Sequence, residues 1–199
     1  MKILNFVAAL SLVLFVGCGG GSQKEQQTES SSSESQEQTM ANENDTVRTI
    51  HLIGIDQMRY VIEESAEGVA VGDPIGQDNL PEVKSITVKP GETIRIRLTT
   101  RSKLPATAMA HNWVLLKKSA DPEAFDQAAM KAKDNDYVPS DMMDSIIAHV
   151  PLSAGGETNE ITFTAPEETG EYTYLCSFPG HYASGMKGIL KVEGEATSM

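Results

Sequence analysis

The segment CSFPGHYASGM, residues 176–186, places a thiol, an imidazole and a thioether on one short loop, with Pro179 and Gly180 between Cys176 and His181. Thiolate, imidazole and thioether are soft donors, and together they select copper over magnesium or calcium. Cys176 is one of two cysteines in the chain, the other being Cys18 near the N-terminus. In an oxidising compartment a lone thiol is open to oxidation or scrambling unless it is buried or held by a metal. Cys176, His181 and Met186 still leave a trigonal copper site short of a second imidazole. His111, in Met109-Ala110-His111-Asn112-Trp113, opens another strand-like segment and is the candidate to supply it. Spacing alone leaves both a metal centre and a buried structural cysteine open, and the donor types by themselves also admit zinc. His51 and His149 fall within strand-like segments without soft donors nearby, and read as surface or structural residues.

The elements that must position these donors follow a period of two. Residues 92–99, ETIRIRLT, alternate cleanly, as do residues 161–164, and turn residues bound both. Further strands are expected over 49–55, 59–63, 85–88, 112–117, 146–150, 171–176 and 188–193. Short strands with Pro-Gly or Gly-rich punctuation indicate an all-β, antiparallel sandwich. One segment differs: residues 121–133, DPEAFDQAAMKAK, carry an Asp cap, Pro in the first turn, acids early and lysines late, and predict an inserted helix. Residues 64–81 read as a long loop.

The N-terminus is separate from this pattern. Lys2, an apolar run over residues 3–16 and then Gly17-Cys18 have the layout of a secretory signal, too short to span a bilayer comfortably. Phe15-Val16-Gly17-Cys18 resembles the bacterial lipobox, although Phe15 departs from the usual Leu. That resemblance implies cleavage after residue 17 and acylation of Cys18, anchoring the protein to a bacterial membrane on its periplasmic or cell-surface face. Residues 19–46 hold six acids, one lysine and no aromatic residue, so they cannot offset their ordering entropy by burial and read as an acidic tether. As a flexible coil this tether would span about 30 Å. The net charge of −12 becomes −8 for residues 47–199 once Lys2 (+1) and the −5 of residues 19–46 are set aside. Such a domain excludes nucleic acid as a partner and suits a cationic protein.

The domain from residue 47 to 199 resembles the azurin family of blue copper proteins, the cupredoxins. The motifs that carry the resemblance are Gly54-Ile55-Asp56-Gln57-Met58, Lys103-Leu104-Pro105, Met109-Ala110-His111-Asn112-Trp113-Val114-Leu115, Ile147-Ala148-His149-Val150, Cys176-Ser177-Phe178-Pro179-Gly180-His181 and Met186-Lys187-Gly188. The resemblance implies a Greek-key β-sandwich with a helical flap and one type 1 copper per chain. It implies His111, Cys176 and His181 as ligands, Met186 as a weak axial donor, and backbone N–H groups of Asn112 and Phe178 directed at the thiolate. It also implies an apolar docking patch of Leu104, Pro105, Met109, Phe178 and Ala183, with Met58 a further candidate. Four departures stand out. Ala110 replaces a glycine, which bears on whether its backbone carbonyl approaches copper. Four residues separate His181 from Met186 where azurins have three, a spacing similar to the auracyanins. The azurin disulfide is absent, and residues 64–81 form an insertion.

The function implied is one-electron transfer between redox proteins, such as a c-type cytochrome or a membrane electron-transfer complex, by a monomer. The alternative is a copper-binding module for delivery or storage, suggested by nine methionines including Met142-Met143. A multicopper oxidase or nitrite reductase needs further histidine pairs and a second such domain, which four histidines cannot provide.

Overall fold

Alternation in the strongest strand sets the inner face of the sandwich: Ile94, Ile96 and Leu98 are buried, while Thr93 and Arg97 are exposed and Arg95 is half-buried. Fully burying each aliphatic side chain of this kind contributes about 1.5–3 kcal/mol. The computed structural model describes residues 47–194. The expected signal over residues 1–17, Cys18 and the tether to residue 46 lie outside the described residues. The strands are β1 (Arg48–Ile55), β2 (Arg59–Val61), β3 (Val69–Ile75), β4 (Leu80–Val88), β5 (Thr93–Arg101), β6 (Ala110–Leu116), β7 (Ile146–Ala154), β8 (Thr158–Thr164), β9 (Gly170–Leu175) and β10 (Lys187–Val192).

Neighbouring strands run β7-β6-β9-β10-β4-β2-β1-β5-β8, and β3 pairs with β4. The sheet folds over on itself into an all-β sandwich. Most pairs are antiparallel, but β1 with β5 and β10 with β4 are parallel. The main core gathers Ile50, Leu52, Ile86, Ile96, Trp113, Tyr174 and Leu190 from strands on both sides. Among the described residues, no helix is long and apolar enough to cross a membrane.

Strand β6, which carries His111, breaks the alternation because all seven of its residues are buried. One face meets the main core. The other is covered by the segment between β6 and β7, where Phe125 packs with Val114, Leu116 and Leu175 in a second cluster. The helix there, α1 (Pro122–Ala129), begins as expected, with the Asp121 carboxylate accepting from the N–H groups of Glu123 (2.9 Å) and Ala124 (3.3 Å). It ends sooner than the sequence suggested. The N–H groups of Lys131 and Ala132 donate to carbonyls three residues back, tightening the chain out of the α-helix. Short 3-10 turns follow at Lys133–Asn135 and Ser140–Ser145.

Residues 64–81 are not a loop throughout. They contain β3 and the start of β4, paired antiparallel with register shifts around Val71. No residue of β3 is buried, and Gly72, Asp73 and Pro74 break the apolar alternation that marks a strand in sequence. Its turn nevertheless packs inward, Ile75 and Leu80 lying against Ile53, Ile55 and Val61.

Candidate metal centre

Three donor atoms converge at one end of the sandwich. His111 Nδ1 lies 3.2 Å from His181 Nδ1, and Cys176 Sγ lies 3.4 Å from His181 Nδ1 and 4.0 Å from His111 Nδ1. All three residues are buried. Among the described residues this is the one group of His, Cys, Asp or Glu side chains arranged to hold a metal ion. Both imidazoles turn the same nitrogen, Nδ1, toward the sulfur. Two nitrogens and a thiol sulfur with no carboxylate among them form a soft, dry donor set, which suits copper and not a hydrated magnesium or calcium ion.

His111 is fixed from behind by β1. A Cβ on Gly54 would fall 2.5 Å from His111 Cδ2 and 2.7 Å from its Cγ, so the strand lies directly against the ring. The Ile55 backbone of the same strand lies beside the ring, and the buried Nε2 makes no hydrogen bond. A ring whose Nε2 carries the proton leaves Nδ1 free to bind metal.

Asn112 joins this strand to the donor loop. Its Oδ1 accepts from the Ser177 N–H (2.8 Å) and its Nδ2 donates to Ser177 Oγ (2.8 Å). Ser177 Oγ in turn donates to the Tyr137 carbonyl (2.6 Å), which ties the flap to the same point. Asp136 and Tyr137, both at positive φ, turn the chain back to bring that carbonyl within reach. On the core side, the Tyr60 hydroxyl donates to the Asn112 carbonyl (2.6 Å).

The loop from Cys176 closes on itself. The His181 N–H donates to the Phe178 carbonyl (3.0 Å), the Met186 N–H to the His181 carbonyl (2.9 Å), and the Cys176 N–H to the Met186 carbonyl (3.0 Å). Met186 is fully buried, and its backbone is thereby tied to both donor residues of the loop. Gly180 sits at φ +82°, a conformation that favours glycine. The Phe178 ring stands 4.7 Å from the His181 ring and 5.1 Å from that of Tyr137.

Burial sets the protonation of the donors. It lowers His111 to about 3, assisted by the neighbouring His181, while the Ile55 carbonyl acts in the opposite sense. It lowers His181 to about 4. The Cys176 thiol is pushed up to about 12 by burial; the backbone N–H groups of Asn112 and Phe178 pull it down, and the Asp126 carboxylate adds to the rise. Without metal the centre therefore holds two neutral imidazoles and a thiol, and a metal that binds sulfur must displace one proton.

The structure thus brings together His111, Cys176 and His181 and places Asn112 and Phe178 beside the sulfur. Ala110 is buried at the start of β6, paired with Ala154. His51 is elsewhere, 2.7 Å from Thr99 Oγ1, and His149 lies in β7 opposite Val114. The apolar patch needs a correction. Leu104, Pro105 and Ala183 are exposed, but Met109 and Phe178 are 7% and 6% exposed, because Phe178 is enclosed by Tyr137 and His181. Sequence reasoning missed the contacts of Gly54, Tyr60, Ser177 and Tyr137, which span distant parts of the chain.

Residues 80–193 match the copper binding proteins of the plastocyanin/azurin family. Azurin-1 of Alcaligenes xylosoxydans xylosoxydans is 40% identical over 124 residues, spanning 60% of this chain and 95% of that protein. Auracyanin-A of Chloroflexus aurantiacus is 38% identical over 119 residues, spanning 59% of this chain and 69% of that protein. Among solved structures, the dithionite-reduced auracyanin of Roseiflexus castenholzii is similar with a TM-score of 0.56 at 30% identity, covering 74% of this chain and 98% of that one. Fold, donor geometry and sequence agree: the chain belongs to the plastocyanin/azurin family of copper-binding proteins.

Proposed function

We propose that the protein carries single electrons between redox partners, with copper held by His111 Nδ1, Cys176 Sγ and His181 Nδ1 and the Met186 thioether as a weak fourth donor. The observation that carries this reading is the convergence of the three donor atoms within a buried, hydrogen-bonded frame. Bound copper supplies the one-electron change between Cu(I) and Cu(II). The chain's part is to keep the donors still, because transfer is fast only when the ligand geometry barely changes. Asn112 and Ser177 lock strand to loop, β1 backs the His111 ring, and the N–H groups of Asn112 and Phe178 withdraw electron density from sulfur.

The protein acts in this reading as a carrier and not as an enzyme. A depression of about 600 Å³ lined by Ile55, Ile75, Leu80, Arg101 and Lys103 contains none of the donors. Copper delivery or storage fits less well, since His111 and Cys176 are fully buried and His181 is 2% exposed, so handing over the metal would require the centre to open. Leu104, Pro105 and Ala183 are the exposed apolar residues that the family resemblance puts around the His181 edge, and they would make the final contact with a partner. The acidic domain would steer a cationic partner such as a c-type cytochrome, or a membrane complex, toward a monomeric carrier. Export and acylation at Cys18 belong to the same proposal and rest on the lipobox-like segment.

A visible absorption spectrum of the copper-loaded protein tests the central claim. An intense copper–thiolate band that reduction bleaches and Cys176→Ser abolishes is expected, and copper-loaded protein without that band would sink the assignment. For the anchor, Cys18→Ala should move the protein from the membrane fraction to the soluble one.

A further inference from the structure

From the structure we infer that Arg59 is a positioning residue for the metal centre, clamping the donor loop at its Met186 end. The side chain lies in the gap between the β1–β2 turn and that loop. Its Nη1 donates to the Ser184 carbonyl and to the Met58 carbonyl (2.8 Å), with a longer contact to the Gln57 carbonyl (3.4 Å). Its Nε lies 3.2 Å from Glu82 Oε1 on β4. Arg59 is 30% exposed and Glu82 15%, so the pair is partly shielded from solvent. Among the described residues, the Ser184 carbonyl receives no other hydrogen bond.

The guanidinium also lies flat against Gly185. A Cβ there would come within 3.1–3.3 Å of three guanidinium atoms, and Gly185 has a φ of +99°. Glycine is therefore required twice at that position, once by the backbone and once by the arginine. Ser184 and Gly185 belong to the stretch between His181 and Met186 that is one residue longer than in azurins. A longer connection between two donors has more ways to move, and a planar fork that binds two carbonyls and a carboxylate removes that freedom. The same hairpin places Gly54 and Ile55 behind His111, so β1 and β2 brace the centre from both sides.

This inference rests on the copper reading for its meaning but can be tested without copper. In metal-free protein, amide hydrogen exchange at residues 183–187 should quicken about tenfold or more in Arg59→Met, which keeps the stem and loses the fork. Arg59→Lys, which keeps the charge, should fall between. In copper-loaded protein, Arg59→Met should change the relative intensities of the visible bands, because the Met186 side of the centre is no longer fixed. Exchange unchanged in Arg59→Met overturns the inference, and so does a loosened loop with an unchanged spectrum. If Arg59→Met does not fold, Glu82→Gln loosens the same brace and must quicken the same amides. A wild-type protein with no visible band would end the copper reading, while the exchange comparison would still decide whether Arg59 holds the loop.

Discussion

The two imidazoles of the centre are held in different ways. His111 stands in a strand with no exposed residue, pressed by Gly54 of a strand far away in sequence. His181 stands in a loop whose own backbone bonds, from Phe178, His181 and Met186, make the turn. One ring is fixed by tertiary packing and the other by local geometry with a few outside ties. The first must fail with the sandwich, whereas the second can loosen while the sandwich stands.

Acid should separate them most strongly. An unfolded histidine titrates near 6.5, and both folded values lie below it, at about 3 for His111 and about 4 for His181. Between these values the unfolded chain binds more protons, so the histidines' contribution to the stability of the metal-free domain is fully present above about pH 6.5 and is lost as the pH falls. The slope is about 1.4 kcal/mol per pH unit for each histidine. Asp126, whose carboxyl is raised by burial, works in the opposite sense and offsets part of the loss as it protonates. Denaturant unfolding between pH 7 and 4 reads the net slope, and NMR titration should show the His181 ring protonating before that of His111. The reverse order would contradict the division between the two sides.

Substitution of glycine sharpens the same contrast. Gly54→Ala drives a methyl group into the His111 ring and should cost about 2–3 kcal/mol of stability while disturbing the copper spectrum. Gly180→Ala meets nothing within 4 Å and pays only for its positive φ, about 1 kcal/mol, read from the shift in Tm. Equal losses would mean that packing behind His111 matters no more than the turn before His181. The smallest effect on stability belongs to Met186→Leu. It should leave copper bound and raise the reduction potential, since an apolar neighbour disfavours the more charged Cu(II) state. Loss of the metal would make Met186 a full ligand.

Nine strands were readable from alternation, apolar runs and the turn residues that bound them. β3 was not, since Gly72, Asp73 and Pro74 interrupt any apolar alternation in it. The early end of α1 also escaped, because Lys131 and Lys133 suit a helix C-terminus whether or not the chain continues that far. Cys176, His181 and Met186 were visible as a cluster since they share one loop, and His111 was legible as a candidate from its place at the start of another strand, which the family motif around it then supported. Arg59, Tyr60 and Gly54 act across the fold on neighbours set by strand order, and no local pattern announces them.

The parallel pairing of β10 with β4, in which Ile189 lies beside Ser85, has a consequence in time. Contacts so distant along the chain form slowly, on the order of milliseconds to seconds in domains rich in such pairings. The donor loop lies between β9 and β10, and so it is enclosed only when the last strand docks. Until then the Cys176 thiol lacks that cover, and newly made chains pass through an interval in which oxidants and metals compete for it before the fold shuts.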